Sequence, residues 1–347
     1  MVMKLTLAAA ATLALAVPAT AQPPAGQPVT IGTTYSIPSK VYGDQRRVTV
    51  RLPYEYAEEP ERRFPVVYVV DGGPEQDFPH IAGLAQSREM NYSFEPFILV
   101  GIETVNRRAQ ISPPVRAEAV AEYETSLGAR PGGIETFRNF VADEVKPWVE
   151  ANFRTGGRDA LMGESLAGLF VVDTLVNRPA LFDDWIAVSP SMSWDAMALA
   201  RSLPQRMAAQ PAGDERLYLT VANEGYRHEE GIERLVDALR TGAPQGWKWA
   251  YVPLNDSETH GTIYHTAALD AFRLLYGTPT REYRPPTEML GRPADPRTPA
   301  EQALLDEECT AQNTVFTTPE AAAMGRDRLF YRCLRYDLGP RAREGNL

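Results

Sequence analysis

The sequence predicts an α/β fold: a mostly parallel central sheet flanked by helices, entered through antiparallel N-terminal strands and followed by a C-terminal extension. Three observations predict it. Short continuous apolar runs recur along the chain, stretches with apolar residues at three- and four-residue spacing separate them, and an early strand candidate alternates polar and apolar instead. Continuous runs suit strands buried on both faces, three-to-four spacing suits amphipathic helices, and alternation suits a strand with one wet face.

In chain order, Val29 to Ile37 and Arg46 to Leu52 form the antiparallel entry pair around the turn Tyr42-Gly43-Asp44. Buried strands follow at Val66 to Val70, Phe97 to Ile102, Ala160 to Met162, Trp185 to Val188 and Leu217 to Val221, with a last candidate at Trp247 to Pro253. Helices are expected at Ile134 to Phe153, Leu166 to Asn177, Glu229 to Arg240 and Thr262 to Tyr276. Strands alternating with helices imply right-handed crossovers within one α/β domain. No internal repeat is visible. From Arg281 onward the chain is Pro-rich and then weakly helical, so residues 22–280 are assigned to the α/β domain and 281–347 to the extension.

Composition removes several classes of function. With 35 basic against 45 acidic residues the formal net charge is −10, which argues against a nucleic-acid binder resting on a basic face. The 29 Pro and 25 Gly have no triplet period, which excludes a collagen-like chain. Four His and two Cys, with neither C-x-x-C nor H-E-x-x-H, leave no metal site or cofactor to expect.

Lys4 precedes the apolar run Leu5 to Val17, and Ala19-Thr20-Ala21 supplies the small residues of a signal-peptidase site. The run of 13 residues is shorter than a spanning helix requires, which is about 20 residues, so no stable membrane span is expected. Residues 1–21 therefore read as a cleaved signal peptide and the mature chain as periplasmic or secreted, beginning near Gln22. An uncleaved anchor fits Pro18 and the A-x-A pattern less well, and no Cys follows for a lipid attachment. In an oxidising compartment Cys309 and Cys333 are expected to form a disulfide. Its loop of about 25 residues would stabilise the tail by roughly 3 kcal/mol in the chain-entropy model.

The chemistry centres on Asp159-Ala-Leu-Met-Gly-Glu-Ser165-Leu-Ala-Gly-Leu-Phe, where small residues flank one Ser between an apolar strand and an apolar helix. Such a turn lifts Ser165 Oγ above the sheet at the positive end of the following helix, with Leu166 N–H beside it. A capping Ser is the plain structural alternative. An alcohol nucleophile needs a base, and the base an orienting acid, in the chain order Ser, Asp/Glu, His. His260, in the polar loop Asn255 to Gly261, is the preferred base over His228, over His265 on a helix, and over His80, which precedes the Ser and reads as lining the entrance. Glu224, after the Leu217 strand, is the preferred acid. Glu229 and Glu230 suit a solvated first helical turn, and Asp256 and Glu258 stand too near His260 in sequence to meet it well. Val69-Val70-Asp71-Gly72-Gly73-Pro74 would supply the second oxyanion donor. Pro74 has no N–H, so the donor is Gly72 or Gly73, with Gly73 preferred, unless the segment is a plain turn.

Together these residues resemble the Putative esterase family of α/β-hydrolases, in particular its ferri-siderophore (enterobactin-type) esterase branch. Phe64 to Gly72 resembles the family's strand and oxyanion loop, and Gly132-Gly133 with Phe140 to Phe153 its preceding helix. Gly163 to Phe170 resembles G-H-S-L-G-G-L-F, Pro179 to Phe182 resembles P-x-x-F, and Val188 to Trp194 contains S-P-S-x-x-W. The likeness covers about residues 29–278 and implies an α/β-hydrolase with Ser165, Glu224 and His260 as nucleophile, acid and base. Glu164 stands where the family has His, Ala167 where it has Gly, and the extension lies outside the likeness.

The expectation is a serine esterase that hydrolyses small-molecule carboxylic esters through an acyl-enzyme, with siderophore-type esters as one substrate class. A carbohydrate-linked acyl or feruloyl esterase, an acyltransferase of the same fold, and an inactive esterase-like binding protein are the rivals. Of the 35 basic residues 31 are Arg, and Arg107-Arg108 could face an anionic ligand, although pairing with surface carboxylates is the preferred reading.

Overall fold

The computed structural model describes residues 26–91, 94–277, 280–282, 332–334 and 344–345. The chain divides into two units, Met1–Thr30 and Ile31–Leu347. In the first, the described residues 26–30 carry no regular structure, and the expected signal peptide lies outside the described residues. So does Cys309, and of Cys333 only the backbone is described, so the expected disulfide lies outside them too.

The second unit is built on one mixed sheet. Its strands are β1 (Thr33–Pro38), β2 (Gln45–Arg51), β3 (Phe64–Val70), β4 (Ile98–Ile102), β5 (Thr155–Glu164), β6 (Asp184–Val188), β7 (Arg216–Val221) and β8 (Lys248–Pro253). The short strands β9 (Thr280–Glu282) and β10 (Arg332–Leu334) pair with each other, and β11 (Glu344–Gly345) adds antiparallel to β8. The order in the large sheet is β1-β2-β4-β3-β5-β6-β7-β8-β11. Strands β4, β3, β5, β6, β7 and β8 run parallel, while β1 and β2 are the antiparallel entry pair. The entry turn closes with Ser39 N–H donating to Asp44 C=O at 2.8 Å. Glu144 braces this turn by accepting from the backbone of Lys40 at 2.7 Å and of Val41 at 3.0 Å.

Strand β3 shows why the central runs are apolar without alternation. Val66, Tyr68 and Val70 enter the core on one face of the sheet, and Val67 and Val69 enter the core on the other. The first core is covered by Ile134–Phe140, Leu166–Asn177, Trp194–Ala208 and Tyr226–Gly242. The second is covered by Phe78–Asn91 and Ile263–Tyr276. A side chain at any central position therefore meets apolar neighbours whichever way it points.

The differences from expectation have local causes. Strand β1 begins at Thr33, four residues after Val29. The expected helix from Ile134 to Phe153 contains a π-helical turn at Val141–Val145 before Lys146–Asn152, at the point where Glu144 reaches to the entry turn. The helices Phe78–Asn91 and Trp194–Ala208 were not expected. The first presents only a narrow apolar face, Phe78, Ile81, Ala82 and Ala85. The second carries Pro204 and opens with Asp195, Ala196 and Met197 in left-handed backbone, which breaks the spacing.

Candidate active site

Three adjacent parallel strands end in strained backbone. Asp71 after β3, Ser165 after β5 and Ser189 after β6 have φ of 61°, 60° and 39°, a region that non-glycine residues rarely occupy. Strained residues persist only where their surroundings over-determine them, and they cluster at functional sites. All three stand at the carboxyl end of the sheet, where ligands bind in open α/β folds.

At the end of β5 the turn is held on both sides. Ser165 N–H donates to Val188 C=O at 2.9 Å, and Ser165 C=O accepts from Leu169 and Ser191 N–H, each at 2.9 Å. A Cβ on Gly163 would stand 2.7 Å from the carbonyl carbon, oxygen and Cβ of Ala167, so position 163 admits no side chain. Ala167 is fully buried against this contact. Ser165 Oγ lies 3.3 Å from Ser191 Oγ. Leu166 opens the Leu166–Asn177 helix, so its N–H has no intrahelical acceptor.

Glu224 and His260 come from the loops after β7 and β8, which are zipped together by backbone. Asn223 bridges to Thr259, and Asn223 N–H donates to Glu258 C=O at 2.9 Å. This brings His260 Nδ1 to 2.8 Å from Glu224 Oε1, the carboxylate being 8 % exposed and the imidazole 46 %. Ser189 Oγ donates to the same oxygen and accepts from Ala222 N–H at 3.0 Å. His228 Nδ1 stands 3.7 Å from the other carboxylate oxygen. Burial alone would raise the Glu224 carboxyl, but the hydrogen bonds from His260 and Ser189 outweigh it and hold it below its ordinary value. The hydrogen bond that His260 donates to Glu224 raises the imidazole above its ordinary 6.5, against a smaller opposing effect of burial. His260 shares a cavity of about 350 Å³ with Ser165, lined also by Asp71, Gln76, Asp77, Arg107 and Glu164.

The alternatives fall elsewhere. Glu258 accepts from Thr266 Oγ1 at 2.8 Å, away from the imidazole. His265 packs on His80 with ring centroids 4.7 Å apart, and His80 Nε2 meets Asp77 at 3.1 Å. Glu229 lies in the first turn of its helix, and Glu230 pairs with Arg234 at 2.8 Å.

In the loop after β3, Gly72 N–H donates to Ile102 C=O at 2.9 Å. Gly73 N–H donates to Gln76 Oε1 at 3.0 Å, and Gln76 Nε2 in turn donates to Thr104 C=O at 2.8 Å. Gly72 is glycine for a reason unrelated to substrate access. Its Cβ would stand 2.3 Å from the Cα of Gly101 in β4, so the two backbones cross in contact. Asp71, buried, accepts from Thr104 Oγ1 and pairs with Arg107. This corrects the expectation for the arginines, because Arg107 pairs with a buried carboxylate and Arg108 donates to the Leu127 carbonyl at 3.0 Å. Sequence reasoning also missed Ser189, Gln76 and Thr104. Ser189 stood within the S-P-S stretch but carried no sign of its partner.

The sheet order, the strained Ser between β5 and its helix, and the paired carboxylate and imidazole at the carboxyl edge define an α/β-hydrolase. The profile of the Putative esterase family matches residues 39–249, and the chain belongs to that family. It is 29% identical over 149 residues to the ferri-bacillibactin esterase BesA of Bacillus subtilis (strain 168), covering 39% of this chain and 50% of the relative. It is 26% identical over 172 residues to the siderophore triacetylfusarinine C esterase of Aspergillus fumigatus, covering 45% and 55%. The chain thus spans about half the length of the curated relatives it matches. An IroE-like serine hydrolase from Shewanella oneidensis superposes with a TM-score of 0.64 at 25% identity, over 71% of this chain and 80% of the other. Among the described residues no helix is long and apolar enough to cross a membrane.

Proposed function

We propose that this chain is a serine esterase that hydrolyses carboxylic esters through an acyl-enzyme. The observation that carries the reading is the 2.8 Å contact of Glu224 with His260, in one cavity with Ser165. With Nδ1–H donated to Glu224, Nε2 is left as the base that takes the Ser165 proton. Ser165 Oγ attacks the ester carbonyl, and the developing oxyanion is held by the N–H groups of Leu166 and Gly73. Gly73 N–H rests on Gln76 Oε1 at 3.0 Å and is released to the oxyanion when substrate enters. His260 then protonates the leaving alcohol, and water, activated by the same imidazole, frees the acid and restores Ser165.

Siderophore-type esters are the first substrate class to assay, because the relatives BesA and the triacetylfusarinine C esterase are both siderophore esterases by name. Export to the periplasm or medium is supported by Lys4, the apolar run to Val17 and Ala19-Thr20-Ala21. Intact-mass analysis of the exported chain is expected to place its first residue at Gln22 and to find Cys309 and Cys333 joined. Purified protein should hydrolyse short p-nitrophenyl esters, and a fluorophosphonate should label Ser165. Ser165→Ala should abolish labelling and lower kcat by several orders of magnitude, up to about 10⁶. Equal turnover by the alanine variant would refute the assignment, and absence of labelling in the wild type would favour a binding protein.

A further inference from the structure

Glu164 is the residue before the nucleophile, where the motif that this stretch resembles has His. Its side chain lines the cavity beside Ser165, and among the described residues no hydrogen bond or ion pair engages its carboxyl. Its backbone carbonyl accepts from Arg107 Nη2 at 3.3 Å. The charged groups around it come from the loops after four strands at this edge of the sheet. Asp71 and Asp77 stand after β3, Arg107 after β4, Glu224 after β7 and His260 after β8, with Tyr264 on the last helix. The Arg107 guanidinium is already paired with buried Asp71, and Glu224 is shared between Ser189 and His260. Three carboxylates, Asp71, Asp77 and Glu164, therefore line the cavity against one guanidinium.

We propose that Glu164 makes this site select uncharged and cationic esters over anionic ones, by standing as an unpaired carboxylate in the cavity wall beside the nucleophile. The proposal rests on the serine-esterase reading and narrows its substrate class. Among siderophore-type esters, those with neutral or cationic groups near the scissile bond are favoured over polyanionic ones. Partial burial raises the Glu164 carboxyl to about 7, so the selectivity is present above that pH and fades below it as the group takes up a proton. His260, raised above its ordinary 6.5 by Glu224, titrates as well, but the reactive enzyme always carries it neutral. The ratio of kcat/KM for two substrates at one pH cancels that shared requirement and leaves the charge of Glu164.

The test uses three thioacetates of matched size with fixed charge: acetylthiocholine, S-acetyl-3-mercaptopropanesulfonate and S-butyl thioacetate, followed by thiol release between pH 5.5 and 9. For the wild type, the cation-to-anion ratio is expected to rise with pH by on the order of tenfold, as for a unit charge near the reacting atoms in a partly solvated site. In Glu164→Gln the ratio should stay flat at its low-pH value, and Glu164→Asp should restore part of the rise. A flat wild-type ratio, or the same rise in Glu164→Gln, overturns the proposal while leaving the esterase standing. Failure of the wild type to turn over any of the three, and simple esters with them, overturns the esterase reading and this inference together.

Discussion

Replacing Ser189 by Ala tests whether the geometry behind Glu224 suits it to the role of acid proposed above. Ser189 is 1 % exposed, and its hydroxyl makes two contacts, donating to Glu224 Oε1 and accepting from Ala222 N–H at 3.0 Å. A hydrogen bond to a charged group contributes about 1.5–3 kcal/mol, and a buried N–H left without an acceptor costs about 1–3 kcal/mol. Contacts that share a hydroxyl are not additive, so the expected loss of stability is about 2–4 kcal/mol. For a domain of this size that is a fall in Tm of roughly 6–12 °C. Losing the donor makes the Glu224 carboxylate a stronger acceptor for His260, so the acid limb of the kcat/KM profile should stay or move up. The looser carboxylate should lower kcat/KM by about 10–100-fold, most of it in kcat. Thermal unfolding and p-nitrophenyl acetate hydrolysis from pH 5 to 9 read both. A variant within about twofold of wild type in kcat/KM and unchanged in Tm would refute the role of Ser189.

Other outcomes follow from the same geometry. Wild-type kcat/KM should fall as pH drops through the His260 pKa, because only the neutral imidazole accepts the Ser165 proton, and the midpoint should lie above 6.5 since Glu224 raises it. Glu224→Gln removes that influence, so its acid limb should move to lower pH while kcat drops by about 10²–10⁴, and an unmoved limb in pH–rate measurements would contradict the pairing. Arg138, 3 % exposed, donates to Asp173 and stands 3.2 Å from Thr174 Oγ1, so Arg138→Ala takes the guanidinium from a buried carboxylate that keeps Asn177 Nδ2 at 3.0 Å. Urea unfolding should register a loss of about 3–5 kcal/mol for it, with the residual activity of folded protein retained. Gly163→Ala forces a methyl to within 2.7 Å of Ala167, which should cost about 1–3 kcal/mol in calorimetry and displace Ser165 enough to lower ester turnover.

Much of the fold was legible because its central strands are apolar on both faces. Val66 to Val70 and Trp185 to Val188 read as buried parallel strands for the reason that they are, since both sheet faces are covered. Elements with mixed signals were not legible. The Trp194–Ala208 helix begins in left-handed backbone and contains Pro204, and its start is held from outside by Arg116, which binds Asp195 at 2.8 Å and 3.0 Å. Nothing local in Trp-Asp-Ala-Met predicts that conformation. The elbow was legible because a tight strand-to-helix turn demands small residues at fixed offsets from the Ser, a constraint confined to a few neighbouring positions.

The sequence by itself determined the kinds of group available. One serine sits in an elbow, four histidines are present for a base, and carboxylates follow the later strands in the chain order such chemistry uses. It also determined the alternation of strand and helix, because hydrophobic periodicity is a local property. Tertiary structure alone decided which of those groups meet. The pairing of Asn223 with Thr259 carries Glu224 to His260, Ser189 arrives from a neighbouring strand to hold the acid, and Arg107 turns to buried Asp71 instead of a surface carboxylate. These contacts join residues more than 30 positions apart. They depend on the order in which strands are laid into the sheet, which long-range burial sets and no short stretch of sequence encodes.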